Sequence, residues 1–173
     1  MQKHNINIMG DPALTEKAIP VEQFDESLVL LVQELKNTMK NNAGVGFSAP
    51  QIDQNKRVIV FGFDKNERYP TEGPVPFTVL INPEYQAVSK KLISAWEGCL
   101  SVPGMRGIVP RFEKIRYRGY DVSGALVERV VDGFHARIVQ HEIDHLDGIL
   151  FPFRIEDLKN FGFERVLFNK IYR

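Results

Sequence analysis

Apolar side chains recur at helical spacing in two stretches of the chain. Leu28, Leu31, Val32, Leu35 and Met39 follow Asp25-Glu26-Ser27, whose acidic groups suit the positive end of a helix dipole, and Asn41-Asn42 with Gly44 end the run. This predicts an amphipathic surface helix of about four turns, with Glu34, Lys36 and Lys40 as its solvated face. The second helical stretch runs over residues 134–146, after a turn at Asp132-Gly133, and Gly148 is placed to end it. On its wheel, Phe134, Ile138, His141, Glu142 and His145 share one arc, and Val139, Ile143, Leu146 and Leu150 the adjoining one. Only the arc of Arg137, Gln140 and Asp144 is free to be polar, so this helix is expected to be central and largely buried.

Extended segments are predicted at residues 57–63, at 77–81 up to Asn82-Pro83, at 87–95 and at 114–120. In the last of these, Ile115 and Tyr117 alternate with Lys114, Arg116 and Arg118, as a half-buried strand requires. Asp121-Val122-Ser123-Gly124 then reads as a hairpin turn into a strand at 126–131. Residues 66–76 read as a polar loop, 149–153 as an apolar exit from the second helix, and 155–173 as an amphipathic tail without an assigned structure. Gly44-Val45-Gly46-Phe47-Ser48-Ala49-Pro50-Gln51 fits neither period. Its glycines would allow a ligand close to the backbone, yet it lacks the endings of the phosphate-binding and dinucleotide-binding loops.

With 173 residues, 43% of them hydrophobic and 25% charged, the chain suits one well-buried core and excludes a disordered or fibrous class. The 22 basic and 22 acidic side chains balance, which argues against a dedicated nucleic-acid or anionic-membrane surface. No apolar run approaches the length of about 20 that spans a bilayer. The opening Met1-Gln2-Lys3-His4-Asn5 is polar and resembles neither a signal nor a transit peptide, so a cytoplasmic location is expected. Cys99 is the sole cysteine, which excludes an intramolecular disulfide.

Candidate chemistry enters with His141-Glu142-Ile143-Asp144-His145, an H-E-x-x-H pattern. At about 100° per residue its two imidazoles lie one turn apart on one face and can share a metal ion, with Glu142 beside them. A catalytic divalent site needs a third protein ligand and an open position. A metzincin would place a histidine at position 151, where Phe151 stands. A thermolysin-like protease would use a glutamate about 20 residues downstream, for which Glu164 qualifies. Cys99, flanked by Gly98, is the third candidate, since a thiolate binds borderline metals strongly; a buried inert thiol and a Cys-His nucleophile pair are its competing readings, the latter leaving the second histidine without a role.

Three segments, GVGFSAPQ (44–51), EGCLS (97–101) and QHEIDH (140–145), resemble in order and spacing the three signature motifs of peptide deformylases, and the resemblance spans nearly the whole chain. Ser48 stands where many members carry alanine and Phe47 where leucine is frequent, neither replacing a residue with a chemical role. The segment Phe134-His135-Ala136-Arg137-Ile138, Arg137 in particular, looks like the subgroup that includes organellar and some bacterial enzymes. The resemblance implies hydrolytic removal of the formyl group from N-formylmethionyl nascent peptides, with release of formate and with the ribosome exit region as a candidate partner. It implies Cys99, His141 and His145 as metal ligands, Glu142 as general acid/base, and Gln51 with the Leu100 backbone N–H as oxyanion donors. Fe²⁺ is the implied ion, with Zn²⁺, Ni²⁺ and Co²⁺ compatible with the same donors.

For the substrate, the resemblance implies a peptide lying extended along Gly44, Val45 and Gly46 in the manner of strand addition. The methionine side chain is then expected in an apolar pocket formed by Val45, Phe134 and Ile138. Gly98 belongs beside this pocket, as do Glu97 and Arg106, between which an ion pair would hold the Cys99 loop. Asp144 is expected either to support a ligating histidine or to face solvent. The expected fold is a single α+β domain over residues 1–173, with antiparallel or mixed sheets wrapped around a central metal-bearing helix.

Overall fold

A computed structural model describes residues 5–168; the polar opening at 1–4 and the tail end at 169–173 lie outside the described residues. Helix α1 spans Glu26–Asn41, and its N-cap Asp25 accepts a hydrogen bond from Leu28 N–H at 3.1 Å, satisfying one of the amides a helix start leaves open. The strands follow as β1 (Gly46–Ser48), β2 (Val58–Phe63), β3 (Val75–Ala87), β4 (Leu92–Cys99), β5 (Val102–Phe112), β6 (Lys114–Tyr120) and β7 (Leu126–Asp132). Helix α2 spans Gly133–Leu146, and a short β8 (Phe161–Phe163) and α3 (Glu164–Leu167) follow. One antiparallel sheet has the order β1-β2-β3-β6-β7 and a second the order β4-β5-β8, giving the α+β class expected.

The period of two in β2 decides where the helices sit. Ile59 and Phe61 point to one face, where Leu80, Ile115 and Tyr117 pack on Ala136, Ile138, Val139, Ile143 and Leu146 of α2. Val58 and Val60 point to the other, where Phe47 and Ile81 pack on Leu28, Leu31, Val32, Leu35 and Met39 of α1. Both faces are covered, so the strand reads as an unbroken apolar run. A third cluster, with Leu14, Val102, Val109, Leu150 and Phe151 around Cys99, fills the space beside the smaller sheet. Among the described residues no helix is long and apolar enough to cross a membrane.

Three expectations need correction. The strand expected to stop at Asn82-Pro83 continues as β3 to Ala87: the register shifts between Ile81 and Glu84, and Asn82, at φ 51°, binds the backbone of Val21 with its side-chain amide, so the turn signal marks a bulge. The extended segment at 87–95 is divided between the end of β3 and the start of β4, which continues to Cys99. Strand β5 was not anticipated, because Pro103, Gly104, Gly107 and Pro110 read as breakers. Strand β8 covers only Met105–Gly107, so both prolines lie where one edge of β5 is open and a missing N–H costs no ladder bond.

The one arc of α2 left free to be polar is buried as well. Arg137, Gln140 and Asp144 are 7%, 1% and 3% exposed. The β4–β5 hairpin lies over them, and Gln140 is held by the Phe112 backbone N–H and C=O at 3.0 and 2.9 Å. Helix α2 is therefore enclosed between the two sheets.

Candidate metal centre

Cys99 ends β4, and His141 and His145 sit one turn apart on α2, the element it packs against. Cys99 Sγ lies 3.2 Å from His145 Nε2, and one ligand atom from each of the three residues falls within 4.8 Å of the others. One thiol and two imidazoles meeting at this separation fit a divalent borderline ion. Ser101 N–H points at the sulfur from 3.3 Å. Burial alone would raise the Cys99 thiol, but His145 and His141 bring it well below its ordinary value, towards the thiolate that a metal requires.

Glu142 shares the helix and the cleft wall. It is 4% exposed, its Oε2 has no hydrogen-bond partner, and burial pushes its carboxyl up to about 7. Such a carboxyl can both take and return a proton near neutral pH. Its neighbour across the cleft is the backbone of Gly46: a Cβ there would lie 2.3 Å from Glu142 Oε1. Only glycine permits this approach. Gly46→Ala is therefore expected to displace the Glu142 carboxylate and to lower the formyl hydrolysis that the motif resemblance implies by about 10²-fold, the usual cost of misplacing a reacting group by about 1 Å. Circular dichroism and formate-release rates on one preparation check this; an alanine variant with full turnover would refute the contact.

Gln51 lies on a 3-10 turn, Ala49–Ile52, entered from Ser48. Its Oε1 accepts from Ser48 N–H at 2.9 Å and Ser48 Oγ at 3.0 Å. That turns Nε2 toward Ser101 Oγ at 3.0 Å and Cys99 Sγ at 3.6 Å. Ser48, read from sequence as chemically neutral, thus helps to aim the amide.

The cleft above these groups is lined by Gly44, Val45, Gly46 and Gln51 on one side, Glu97, Gly98, Cys99 and Leu100 on the other, and Phe134, Ile138, His141 and Glu142 below. Every sequence-predicted binding residue except Arg106 lines it. Arg68, Tyr69, Trp96 and Arg137 complete the lining and were not anticipated there.

The Glu97–Arg106 ion pair does not form. Glu97 faces Gly107 across the β4–β5 ladder, so residues of odd number on β5 share its face and Arg106 lies on the opposite one. Glu97 binds Arg111 instead, at 2.9 and 3.0 Å, together with Arg137 at 2.7 Å, and its Oε2 is 2.9 Å from His141 Nδ1. Burial would raise the Glu97 carboxyl, but the Arg111 charge and the hydrogen bonds from His141 and Arg111 hold it well below the usual carboxylate range. Arg106 stacks its stem over Gly98, where a Cβ would come within 2.8 Å of it, and binds Tyr69 Oη at 3.1 Å and Glu164 Oε1 at 3.0 Å. Glu164 is thus an ion-pair partner on the surface, 45% exposed, outside the group of Cys99, His141 and His145 that could hold an ion. Asp144 neither hydrogen-bonds His141 or His145 nor faces solvent: it binds Arg111, and Arg154 at 2.7 and 3.1 Å.

The family profile described as polypeptide deformylase matches residues 3–161. The chain belongs to the polypeptide deformylase family. Among curated relatives, peptide deformylase 1 of Bordetella pertussis is 51% identical over 166 residues, covering 95% of this chain and 94% of that one. Peptide deformylase 2 of Ralstonia nicotianae is 49% identical over 164 residues, covering 94% and 93%. Among solved structures, the Met-Ala-Ser-bound class I type b peptide deformylase of Acinetobacter baumannii superposes with a TM-score of 0.83 at 41% identity, covering 87% of this chain and 96% of that one. The peptide deformylase of Thermotoga maritima superposes with a TM-score of 0.79 at 34% identity, covering 91% and 100%. Polypeptide deformylases are hydrolases that remove the N-terminal formyl group from nascent peptides, and this chain is such an enzyme.

Sequence reading of this deformylase missed Arg111 and the part played by Arg137. The signal for Arg111 was present as parity: once β4 and β5 are paired with Glu97 opposite Gly107, position 111 falls on the Glu97 face.

Proposed function

We propose that residues 1–173 act as one catalytic domain that hydrolyses the formyl amide of N-formylmethionyl peptides at a centre of Cys99, His141 and His145. The observation that carries this reading is the convergence of those three donors beside a buried, unpartnered Glu142 oxygen. An ion held by these donors supplies Lewis acidity to the formyl oxygen and acidifies a water. Glu142 accepts the proton of the attacking water and delivers it to the leaving amine. As charge develops on the formyl oxygen, the Leu100 N–H and the Gln51 Nε2 hydrogen that otherwise faces Cys99 Sγ donate to it, the other hydrogen staying on Ser101 Oγ; Gln51 is neutral and does not compete as a ligand. His141 Nδ1–H donates to Glu97, which leaves Nε2 for the ion.

Among the described residues strand β1 is an edge of its sheet, paired with β2 alone, so the Gly46 backbone offers a peptide an open edge above the metal donors, while the Val45 carbonyl is held by Gly62 N–H at 2.9 Å and leaves Val45 to contribute its side chain. Val45, Phe134 and Ile138 supply the apolar wall for the methionine side chain. Fe²⁺ is the proposed physiological ion, Zn²⁺, Ni²⁺ and Co²⁺ being chemically admissible on the same donors. The proposed setting is the cytoplasm, with nascent chains at the ribosome exit region as the source of substrate.

The deciding experiment measures formate release from a formyl-Met peptide together with metal content of the same anaerobic sample. Formate release that follows the content of bound divalent ion is expected. A metal-loaded protein that releases none would reject the assignment of roles. Aerobic loss of activity that anaerobic Fe²⁺ fails to restore would reject iron alone.

A further inference from the structure

Of the two histidines at the centre, His141 has a protein acceptor on its distal nitrogen, Glu97 Oε2 at 2.9 Å, whereas His145 Nδ1 is buried without one. The orientation of the His141 ring therefore falls on Glu97, and the orientation of Glu97 on what holds its other oxygen. Glu97 Oε1 accepts from Arg111 Nε at 2.9 Å and from Arg137 Nη1 at 2.7 Å. With both arginines on Oε1 and one on Oε2, the carboxylate is fixed with a lone pair of Oε2 left to His141. Arg111 is divided between two carboxylates, Glu97 and Asp144. Glu97 and Asp144 are 4% and 3% exposed, and the buried cations that balance them are Arg111 and Arg137, at 4% and 7%. Arg137 also donates to the carbonyls of Val109 on β5 and Ile93 on β4, so the side chain that orients Glu97 is itself tied to both strands of the hairpin and rooted on the helix of His141.

We infer that Arg137 is a positioning residue for the metal centre, fixing the Glu97 carboxylate so that it aims the His141 ring at the ion. The inference rests on the proposed Cys-His-His centre. It assigns a role to the residue that precedes Ile138 in the cleft, and it predicts an effect on metal binding that does not depend on catalysis. Loss of an outer partner of a metal ligand costs about 10–100-fold in affinity. Arg137→Met removes the charge and all three hydrogen bonds, whereas Arg137→Lys keeps a cation within reach of Glu97.

The test titrates metal-free full-length protein with Co²⁺, following the absorption bands of the bound ion, and records the thermal midpoint of the metal-free state. Unaltered protein that gives no thiolate–Co²⁺ band would refute the proposed centre itself, separately from any role of Arg137. With that band present, Arg137→Met is expected to weaken Co²⁺ by about 10-fold, the lower end of that range because Arg111 still holds both Glu97 oxygens, and Arg137→Lys to recover most of that loss. In a Glu97→Gln background the further change Arg137→Met is expected to alter Co²⁺ affinity by less than about twofold, because coupled groups are not additive. If Arg137→Met does not fold, Arg137→Gln, which keeps one donor for a strand carbonyl, is read by the same criteria. Two outcomes overturn the inference: a lowered thermal midpoint with Co²⁺ affinity unchanged, which is a structural staple only, or losses from Glu97 and Arg137 that multiply.

Discussion

Glu142→Gln is expected to leave metal content near normal and to lower formate release by about 10²–10⁴-fold, the range a well-placed general acid/base contributes. The substitution changes little but the chemistry. The Glu142 carboxylate is outside the trio of converging donors, so its loss removes no ligand. Its Oε2 has no protein partner, so an amide of the same shape breaks no hydrogen bond at that oxygen. What disappears is the ability to accept a proton from water and return it to the amine. A carboxyl raised to about 7 by burial stands close to the pH at which both transfers are needed, and no amide titrates there. Metal analysis and formate release on the same sample separate the possibilities. Loss of the ion in this variant would make Glu142 a ligand and not an acid/base.

Cys99→Ala is expected to strip the centre, weakening metal binding by more than about 100-fold, beyond the 10–100-fold that an outer partner costs. Two histidines one turn apart hold an ion only as two-thirds of a three-ligand site, and among the described residues only the Cys99 sulfur is grouped with both of them as a third donor. Glu164→Ala provides the contrast. Glu164 is 45% exposed and occupied with Arg106, so its removal is expected to leave metal content intact and to cost at most about 1 kcal/mol of stability. Metal retention in the cysteine variant together with loss in the glutamate variant would restore the downstream-ligand reading. The burial of Cys99, 7% exposed among Leu14, Val102, Val109, Leu150 and Phe151, also means that alanine leaves a small apolar gap; thermal unfolding of metal-free protein measures that separately.

Helices α1 and α2, strand β2 and the β6–β7 hairpin were legible because each is written in a local period that survives whatever packs against it. That Cys99, His141 and His145 come together as a group able to hold a metal was legible for a related reason. Two of its members are locked at one-turn spacing on a helix, and the third is the chain's sole cysteine, set in a motif that resembles a known family. The wiring behind the trio was not legible. Glu97 meets Arg111 14 positions away, Arg137 40 away and His141 44 away, and each meeting depends on strand register and on which sheet lies over which face of α2. The same holds for the arc of Arg137, Gln140 and Asp144, which a helical wheel shows as polar and which only the second sheet encloses. Local sequence determines which residues can act as ligand, base or pocket wall, because periodicity and donor chemistry belong to the residues themselves. Tertiary structure alone decides which buried charge faces which, because a shift of one position along a strand turns a side chain to the other face.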